Sequence, residues 1–248
     1  MKILSLNTNQ FAGDKDIKDT AKMENLNLFS REIIALVKGF LIGNDKGIAI
    51  LQEIPCYNFY GKKTRVLYDN FLKEFPKTRY KIITPSSLKA NIITLAIVNA
   101  ESGWHICEHG FASQVTNFKN RFIEAVNDNG IHLLGVHMPI DTKSKQDNVK
   151  FWQALFDYLK PKAQNNFFIV GDFNAHIGKC DYNEYFNNFL NNGYCDILPE
   201  NKITYYKGKT KIDHILVFSE APTVEASCLA EHYSDHAVIV TSEINITK

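Results

Sequence analysis

The chain has 248 residues, 45% hydrophobic and 22% charged, enough for one large α/β domain or two small ones with a proper buried core. Lys plus Arg total 28 and Asp plus Glu total 27, so net charge supplies no general attraction for nucleic acid and any such surface must be local. No stretch approaches the ~18 apolar residues of a membrane helix, the apolar part of residues 1–7 is too short for a signal peptide, and the five cysteines lack any Cys-x-x-Cys pair, which disfavours a zinc site or disulfide framework and favours a reducing cytoplasm.

In chain order, residues 3–6 read as a short buried strand. Leu28, Ile33, Ile34, Val37, Phe40 and Leu41 recur at helical spacing and predict a helix over 24–41. Residues 47–51 form a second strand and 66–75 a second helix. Strands follow at 92–98 and 131–136. A helix over 148–159 carries Phe151, Trp152, Leu155, Phe156 and Leu159 on one face, and strands at 167–170, 212–218 and 237–241 complete the pattern. Trp104 and Trp152 read as core. With no linker, repeat or low-complexity block, this alternation predicts a single α/β domain over 1–248, expected to be monomeric.

The chemistry sits at the strand ends. Strand 3–6 runs into Asn7, strand 47–51 into Gln52-Glu53, strand 131–136 into His137, and strand 167–170 into Gly171-Asp172-Phe173-Asn174. Two later strands reverse the order: Asp213-His214 stands at the start of one and Ser234-Asp235-His236 before the other. If these two run antiparallel to the first four, all six polar clusters meet along one edge. Each cluster alone also has an ordinary reading, Asp or Asn after a strand being common turn chemistry. Together they suit phosphate-ester hydrolysis. A hard divalent cation takes one or two carboxylates, for which Glu53 and Asp235 are candidates, and leaves positions for water and phosphate. Phosphodiester cleavage further needs donors to the nonbridging oxygens, an oriented water and a proton source, needs that Asn7, His137, Asp172, Asn174 and His236 meet.

These segments, Leu6-Asn7, Leu51-Gln52-Glu53, Gly135-Val136-His137, Gly171-Asp172-Phe173-Asn174-Ala175, Ile212-Asp213-His214 and Ser234-Asp235-His236, resemble the motifs of the endonuclease/exonuclease/phosphatase superfamily, which includes deoxyribonuclease I, exonuclease III, neutral sphingomyelinases and inositol polyphosphate 5-phosphatases. The resemblance implies a four-layer α/β sandwich, two packed mixed sheets with helices outside, and a magnesium-dependent phosphodiesterase in which manganese can substitute. Carried over by position, Glu53 would be the principal metal ligand, with Asn7 and Asp235 beside the ion. Asp172 would orient or deprotonate the attacking water, Asn174 would hold a phosphate oxygen, and His236, paired with Asp213, would contact the phosphate. His137 would assist the leaving group or bind phosphate. Whether Asp172 or His236 is the base stays open.

The chain departs from two of its subgroups. Abasic-site enzymes usually carry Asn-x-Tyr-x-Pro-Asn where this chain has Val136-His137-Met138-Pro139-Ile140. Deoxyribonuclease I has a glutamate partner for the histidine, whereas Lys89-Ala90-Asn91-Ile92 offers no carboxylate. Two segments mix aromatic and basic residues near the site: Tyr57, Phe59, Tyr60, Lys62, Lys63 and Arg65, and Thr204, Tyr205, Tyr206, Lys207, Lys209 and Lys211. Aromatics that stack on bases and lysines that hold phosphates favour a nucleic-acid substrate, DNA first; solvated loops with half-buried tyrosines are the plain alternative. The rival functions are a phosphatase or phospholipid phosphodiesterase, and a catalytically inactive binding module. His176 and His232 are assigned to packing or surface.

Overall fold

The longest apolar runs become central strands buried on both faces. The computed structural model describes residues 1–15, 23–56, 65–108, 110–139, 145–162, 166–175, 183–218, 224–229 and 233–244. One sheet contains β1 (Ile3–Asn7), β2 (Ile48–Pro55), β3 (Tyr80–Ile83), β4 (Ile92–Asn99), β11 (Ala226–Cys228) and β12 (Ile239–Thr241) in the order β11-β12-β1-β2-β4-β3. The other contains β5 (Trp104–Ile106), β6 (Phe122–Asn127), β7 (His132–His137), β8 (Phe167–Asp172), β9 (Tyr194–Asp196) and β10 (Asp213–Phe218) in the order β5-β6-β7-β8-β10-β9. Each sheet has one parallel pair at its centre, β1 with β2 and β7 with β8, and its other pairings are antiparallel.

Side-chain alternation assigns the layers. Ile3, Ile48, Ile50, Ala96 and Val98 pack against Ile123, Ala125, Leu133, Phe168, Val170 and Ile215 between the sheets. The intervening residues Leu4, Leu6, Ala49, Leu51 and Leu95 face outward onto α1 (Met23–Ile42) and α2 (Arg65–Lys73) through Ile33, Val37, Leu41, Tyr68 and Phe71. On the far side Leu134, Val136, Ile169 and Leu216 meet α3 (Lys145–Leu159) and α4 (Asn183–Asn191) through Phe151, Trp152, Leu155, Phe186 and Phe189. The result is the expected four-layer α/β sandwich. Among the described residues no helix is long and apolar enough to cross a membrane.

Two glycines let the sheets close near the site. A Cβ on Gly135 would meet Ile50 Cγ2 of the facing sheet at 2.6 Å. Gly171 has φ +138°, a conformation that side chains rarely adopt, and a Cβ there would strike the Val136 carbonyl and Gln52 Nε2.

The ten predicted elements are all present, with shifted ends. Strand 47–51 continues to Pro55, and strand 237–241 begins only at Ile239. The strands β3, β5, β6, β9 and β11 and the helix α4 are additional; they run three to six residues and nine residues respectively, too short to announce themselves by periodicity.

Candidate active site

Register aligns the polar strand ends. On one sheet Asn7 is paired with Gln52. On the other His137 is paired with Asp172 and Asp172 with Asp213, so three functional side chains stand abreast on β7, β8 and β10. Asn7 crosses between the sheets, donating from Nδ2 to Asp172 Oδ2 at 2.8 Å and to Glu53 Oε1 at 3.3 Å.

Glu53 owes its direction to a bulge. The β2–β4 ladder passes from Leu51 opposite Leu95 to Ile54 opposite Ile93, so Gln52 and Glu53 face the single residue Thr94. Glu53 has φ +54°. The irregularity breaks strict alternation and turns the carboxylate toward the cleft, a common use of bulges beside functional sites. Its contacts among the described residues are long: Asn7 at 3.3 Å, Gln10 at 3.4 Å and His137 at 3.5 Å.

Asp172 also closes the turn that follows β8, its Oδ1 accepting the Asn174 amide at 2.8 Å. The turn and site readings of Gly171-Asp172-Phe173-Asn174 therefore hold together. Asn174 (φ +51°) donates one side-chain hydrogen to the Met138 carbonyl at 2.7 Å. Burial and the neighbouring Asp213 carboxylate push Asp172 above the ordinary carboxylate range, against the pull of His236, Asn7 and the Asn174 amide.

His236 Nδ1 bonds Asp213 Oδ2 at 2.9 Å, and its Nε2 lies 4.0 Å from Asp172 Oδ2. Burial opposes its charged form, but the Asp213 carboxylate, with Asp172 and Asp235 beyond it, outweighs burial and lifts the imidazole to about 10. Thr204 braces this pair: its Oγ accepts the amides of Ile212 and Asp213 at 3.0 Å, and its carbonyl accepts the Ala237 amide at 2.7 Å. His137 is the opposite case. Burial, then the charges of Arg121 and His236, hold it well below its ordinary value. Arg121 Nη1 lies 3.1 Å from His137 Nε2 and 3.3 Å from Nδ1, while Glu53 and Asp172 are at 3.5 and 3.9 Å from Nε2.

All eight predicted side chains thus gather in one place. Asn7, Glu53, Asp172, Asn174, Asp235 and His236 line a cleft of about 340 Å³ together with Asn9, Tyr205, Lys207 and Ile212; His137 and Asp213 stand directly behind it. The Glu53, His137 and Asp172 ligand atoms lie within 4.8 Å of one another. No thiol is among the lining residues, and the carboxylate and carboxamide oxygens of Asn7, Glu53, Asp172 and Asp235 give the cleft a hard-oxygen donor set beside the His137 and His236 imidazoles. A second cleft, about 380 Å³ and lined by Asp45, Lys46, Arg79 and Glu101 among others, mixes charges of both signs without such convergence.

The basic segments divide. Lys207 reaches the cleft, 3.0 Å from Asp235, and Lys209 is exposed. Lys211, expected to hold phosphates, does not: it is buried and paired with Asp196 at 2.6 Å. His214 is likewise structural, bonding Asp196 at 2.7 Å and the Ala175 carbonyl at 3.0 Å. Arg65 pairs with Asp69 on α2 at 3.0 Å. Tyr57, Phe59, Tyr60, Lys62, Lys63, His176 and His232 lie outside the described residues. Sequence reasoning missed Arg121 and Gln10. Arg121 precedes β6, a strand that was not predicted, and Gln10 sits in a turn without a motif of its own.

No family model matches the sequence, and no curated protein does. Solved structures do. The chain is similar to an AP endonuclease from Archaeoglobus fulgidus, with 19% identity over 98% of both chains and a TM-score of 0.63. It is similar to the 3'-5' exonuclease NExo from Neisseria meningitidis, with 19% identity over 98% of this chain and 99% of that one and a TM-score of 0.60. TDP2 from D. rerio, complexed with single strand DNA product, gives 16% identity over 98% and 99% with a TM-score of 0.60. The fold these structures share is the deoxyribonuclease I-like sandwich that the motifs led us to expect.

Proposed function

We propose that this chain is a divalent-metal-dependent phosphoesterase that hydrolyses phosphodiester bonds, with DNA as its substrate. The observation that carries the reading is the cleft itself, where the carboxylates of Glu53 and Asp172 face the imidazole of His236 with Asn7 bridging the two sheets. The similar structures, an AP endonuclease, a 3' phosphatase bound to product DNA hairpin and TDP2 complexed with single strand DNA product, support DNA over a lipid or inositol phosphate.

The residues present fit a hard cation. Glu53 offers a carboxylate to the cleft whose contacts with Asn7, Gln10 and His137 are all 3.3 Å or longer, and Mg²⁺ selects such oxygen ligands. Glu53, with Asn7 and Asp235 beside it, would hold Mg²⁺ or Mn²⁺. Bound there, the ion would supply Lewis-acid stabilisation of phosphate charge. The remaining work falls to the chain. Asp172, fixed by Asn7 and the Asn174 amide, is aimed to orient water and accept its proton. His236 has one nitrogen committed to Asp213 and is held charged, which suits it to bind a phosphate oxygen and supports Asp172 as the base. His137, held neutral beside Arg121, donates to the leaving side while Arg121 adds positive charge nearby. The second hydrogen of Asn174 Nδ2 serves a nonbridging oxygen. Since His137 replaces the Asn-x-Tyr pattern, we infer a general nuclease or end-processing activity rather than one confined to abasic sites.

The test is a substrate panel with Mg²⁺, Mn²⁺ or EDTA: plasmid DNA, single strands, abasic duplex, 3'-phosphorylated duplex, RNA, sphingomyelin and inositol phosphates. Metal-dependent cleavage of DNA is expected. Full activity after exhaustive chelation, or turnover confined to the lipid or inositol substrates, would overturn the reading.

A further inference from the structure

At the opposite end of β7 from His137, three side chains of a different chemical kind converge. His132 opens β7, Glu124 lies on β6, and Cys107 follows β5. His132 and His137 are the first and last residues of one strand, so this cluster stands roughly 17 Å from the cleft at ~3.3 Å per residue. The Cys107 Sγ, a Glu124 oxygen and a His132 nitrogen lie within 4.8 Å of one another.

The carboxylate is built in. Glu124 is 5% exposed. Its Oε2 accepts the Phe111 amide at 2.7 Å, and Tyr158 of α3 donates to Oε1 at 2.8 Å and Oε2 at 2.9 Å. A Cβ on Gly110 would clash with this carboxylate, so the glycine leaves room for it. Burial opposes its ionisation, yet His132, the Phe111 amide and Tyr158 together hold it below the usual carboxylate range. Burial and Glu124 push the Tyr158 phenol up, so Tyr158 remains a protonated donor. The imidazole is fixed as well, stacked on Phe167 with ring centroids 5.6 Å apart and planes within 11°. Yet His132 Nδ1 is a buried atom with no hydrogen-bond partner among the described residues. It points at Glu124 Oε1 from 3.7 Å, too far for a hydrogen bond and suited to an intervening atom.

We propose that Cys107, Glu124 and His132 form a second metal site, selective for Zn²⁺, that fastens the edge strand β5 to β6 and β7. Thiolate, imidazole and carboxylate in a set of three is zinc chemistry rather than magnesium chemistry, with water as the fourth ligand. Tyr158 and the Phe111 amide are the outer partners that orient Glu124, and the Phe167 stack orients His132. Binding converts the Cys107 thiol to a thiolate and releases its proton to solvent. The three ligands come from β6, β7 and the segment after β5, with no short spacing, which is why cysteine spacing argued against zinc.

The experiment titrates Co²⁺ and Zn²⁺ into the chelator-treated full chain in excess Mg²⁺, reading the thiolate-to-cobalt charge-transfer band and the melting temperature. We expect one equivalent of Co²⁺ with a thiolate band, displaced by Zn²⁺, and a higher melting temperature on Zn²⁺ binding. Cys107→Ser should abolish the band. His132→Gln should weaken Zn²⁺ at least about 100-fold, since outer partners alone are worth about 10–100-fold, and Tyr158→Phe should fall within that outer range. Glu53→Gln should leave the band unchanged, which separates this site from the cleft. No thiolate band in the well-folded parent chain, a band surviving Cys107→Ser, or one lost with Glu53→Gln would overturn the proposal.

Discussion

Asp213 and His236 join the two sheets by one 2.9 Å hydrogen bond, the first residue opening β10 and the second preceding β12. Because Asp213 lifts His236 to about 10, the imidazolium persists across the neutral range. His236→Ala should lower the rate on DNA by ~10²-fold or more, the scale for losing one group that stabilises developing charge. Asp213→Asn keeps the shape and removes the charge, so His236 should lose its proton nearer the ordinary ~6.5. In rate profiles against pH, the alkaline fall of the parent protein should lie near 10 and that of Asp213→Asn well below it. A raised folded-state value also means that this pair's stabilisation is complete below ~6.5 and is lost as pH rises through about 10. Near-parental rates for a well-folded His236→Ala would place the chemistry elsewhere.

The lysines after Thr204 should separate cleanly by role. Lys211 is 3% exposed and paired with Asp196, and removing one partner of a buried pair costs about 3–5 kcal/mol. Lys211→Ala should therefore lower the melting temperature sharply. Lys207→Ala and Lys209→Ala remove groups at the cleft and the surface, so they should weaken DNA binding and flatten its dependence on salt with little change in melting. Thermal melts and binding isotherms at several salt concentrations distinguish the two effects.

Acid should act on the same structural cluster. Burial opposes ionisation of Asp196, but His214 and Lys211 hold its carboxyl below the ordinary range. Its stabilisation is therefore present above the unfolded value of ~3.9 and is lost as pH falls through the lower folded value. Chemical unfolding below pH ~4 should show a steeper loss of stability in the parent protein than in Asp196→Asn, which begins less stable at neutral pH. Equal slopes would mean that Asp196 binds its proton alike folded and unfolded.

What was legible in the sequence follows from burial. The central strands β1, β2, β4, β7, β8 and β10 are covered on both faces, so their apolar runs are nearly continuous; β1, β2, β7 and β8 deliver a polar site residue where the run stops, and Asp213 and Ser234-Asp235-His236 stand just before the runs of β10 and β12. That is why Asn7, Glu53, His137, Asp172, Asn174, Asp213, Asp235 and His236 could all be named from sequence. The edge strands, three residues long in β5, β9 and β11, carry too few turns of the pattern. Lys211 misled because its neighbours Lys207 and Lys209 are at the surface; only the fold reveals that Asp196 of β9 meets it in the interior. Arg121 was invisible for a related reason, since its contact with His137 depends on the pairing of β6 with β7.

The turn after β1 supplies the sharpest trade between stability and function. Asn9, Gln10 and Phe11 have φ of 42°, 56° and 64° in succession, a left-handed conformation that costs roughly 1–2 kcal/mol for each residue bearing a Cβ. Such strain persists where the surroundings impose it, and it clusters at functional sites. Here the turn sets Asn9 in the cleft lining and brings Gln10 Nε2 to 3.4 Å from Glu53 Oε2. Gln10→Gly relaxes the backbone at φ 56° and deletes the side chain that carries that carboxamide. Relief of strain exceeds the extra unfolded-state freedom of glycine, for a net gain of about 1 kcal/mol, or roughly 2–4 °C in melting temperature for a chain of this size. Glu53 meanwhile loses a positioning contact, so the concentration of Mn²⁺ needed for half-saturation should rise, by calorimetry as well as in the rate. A variant that melts higher and binds Mn²⁺ as before would show that Gln10 has no part in orienting Glu53; one that melts lower would show that the left-handed turn is not under strain.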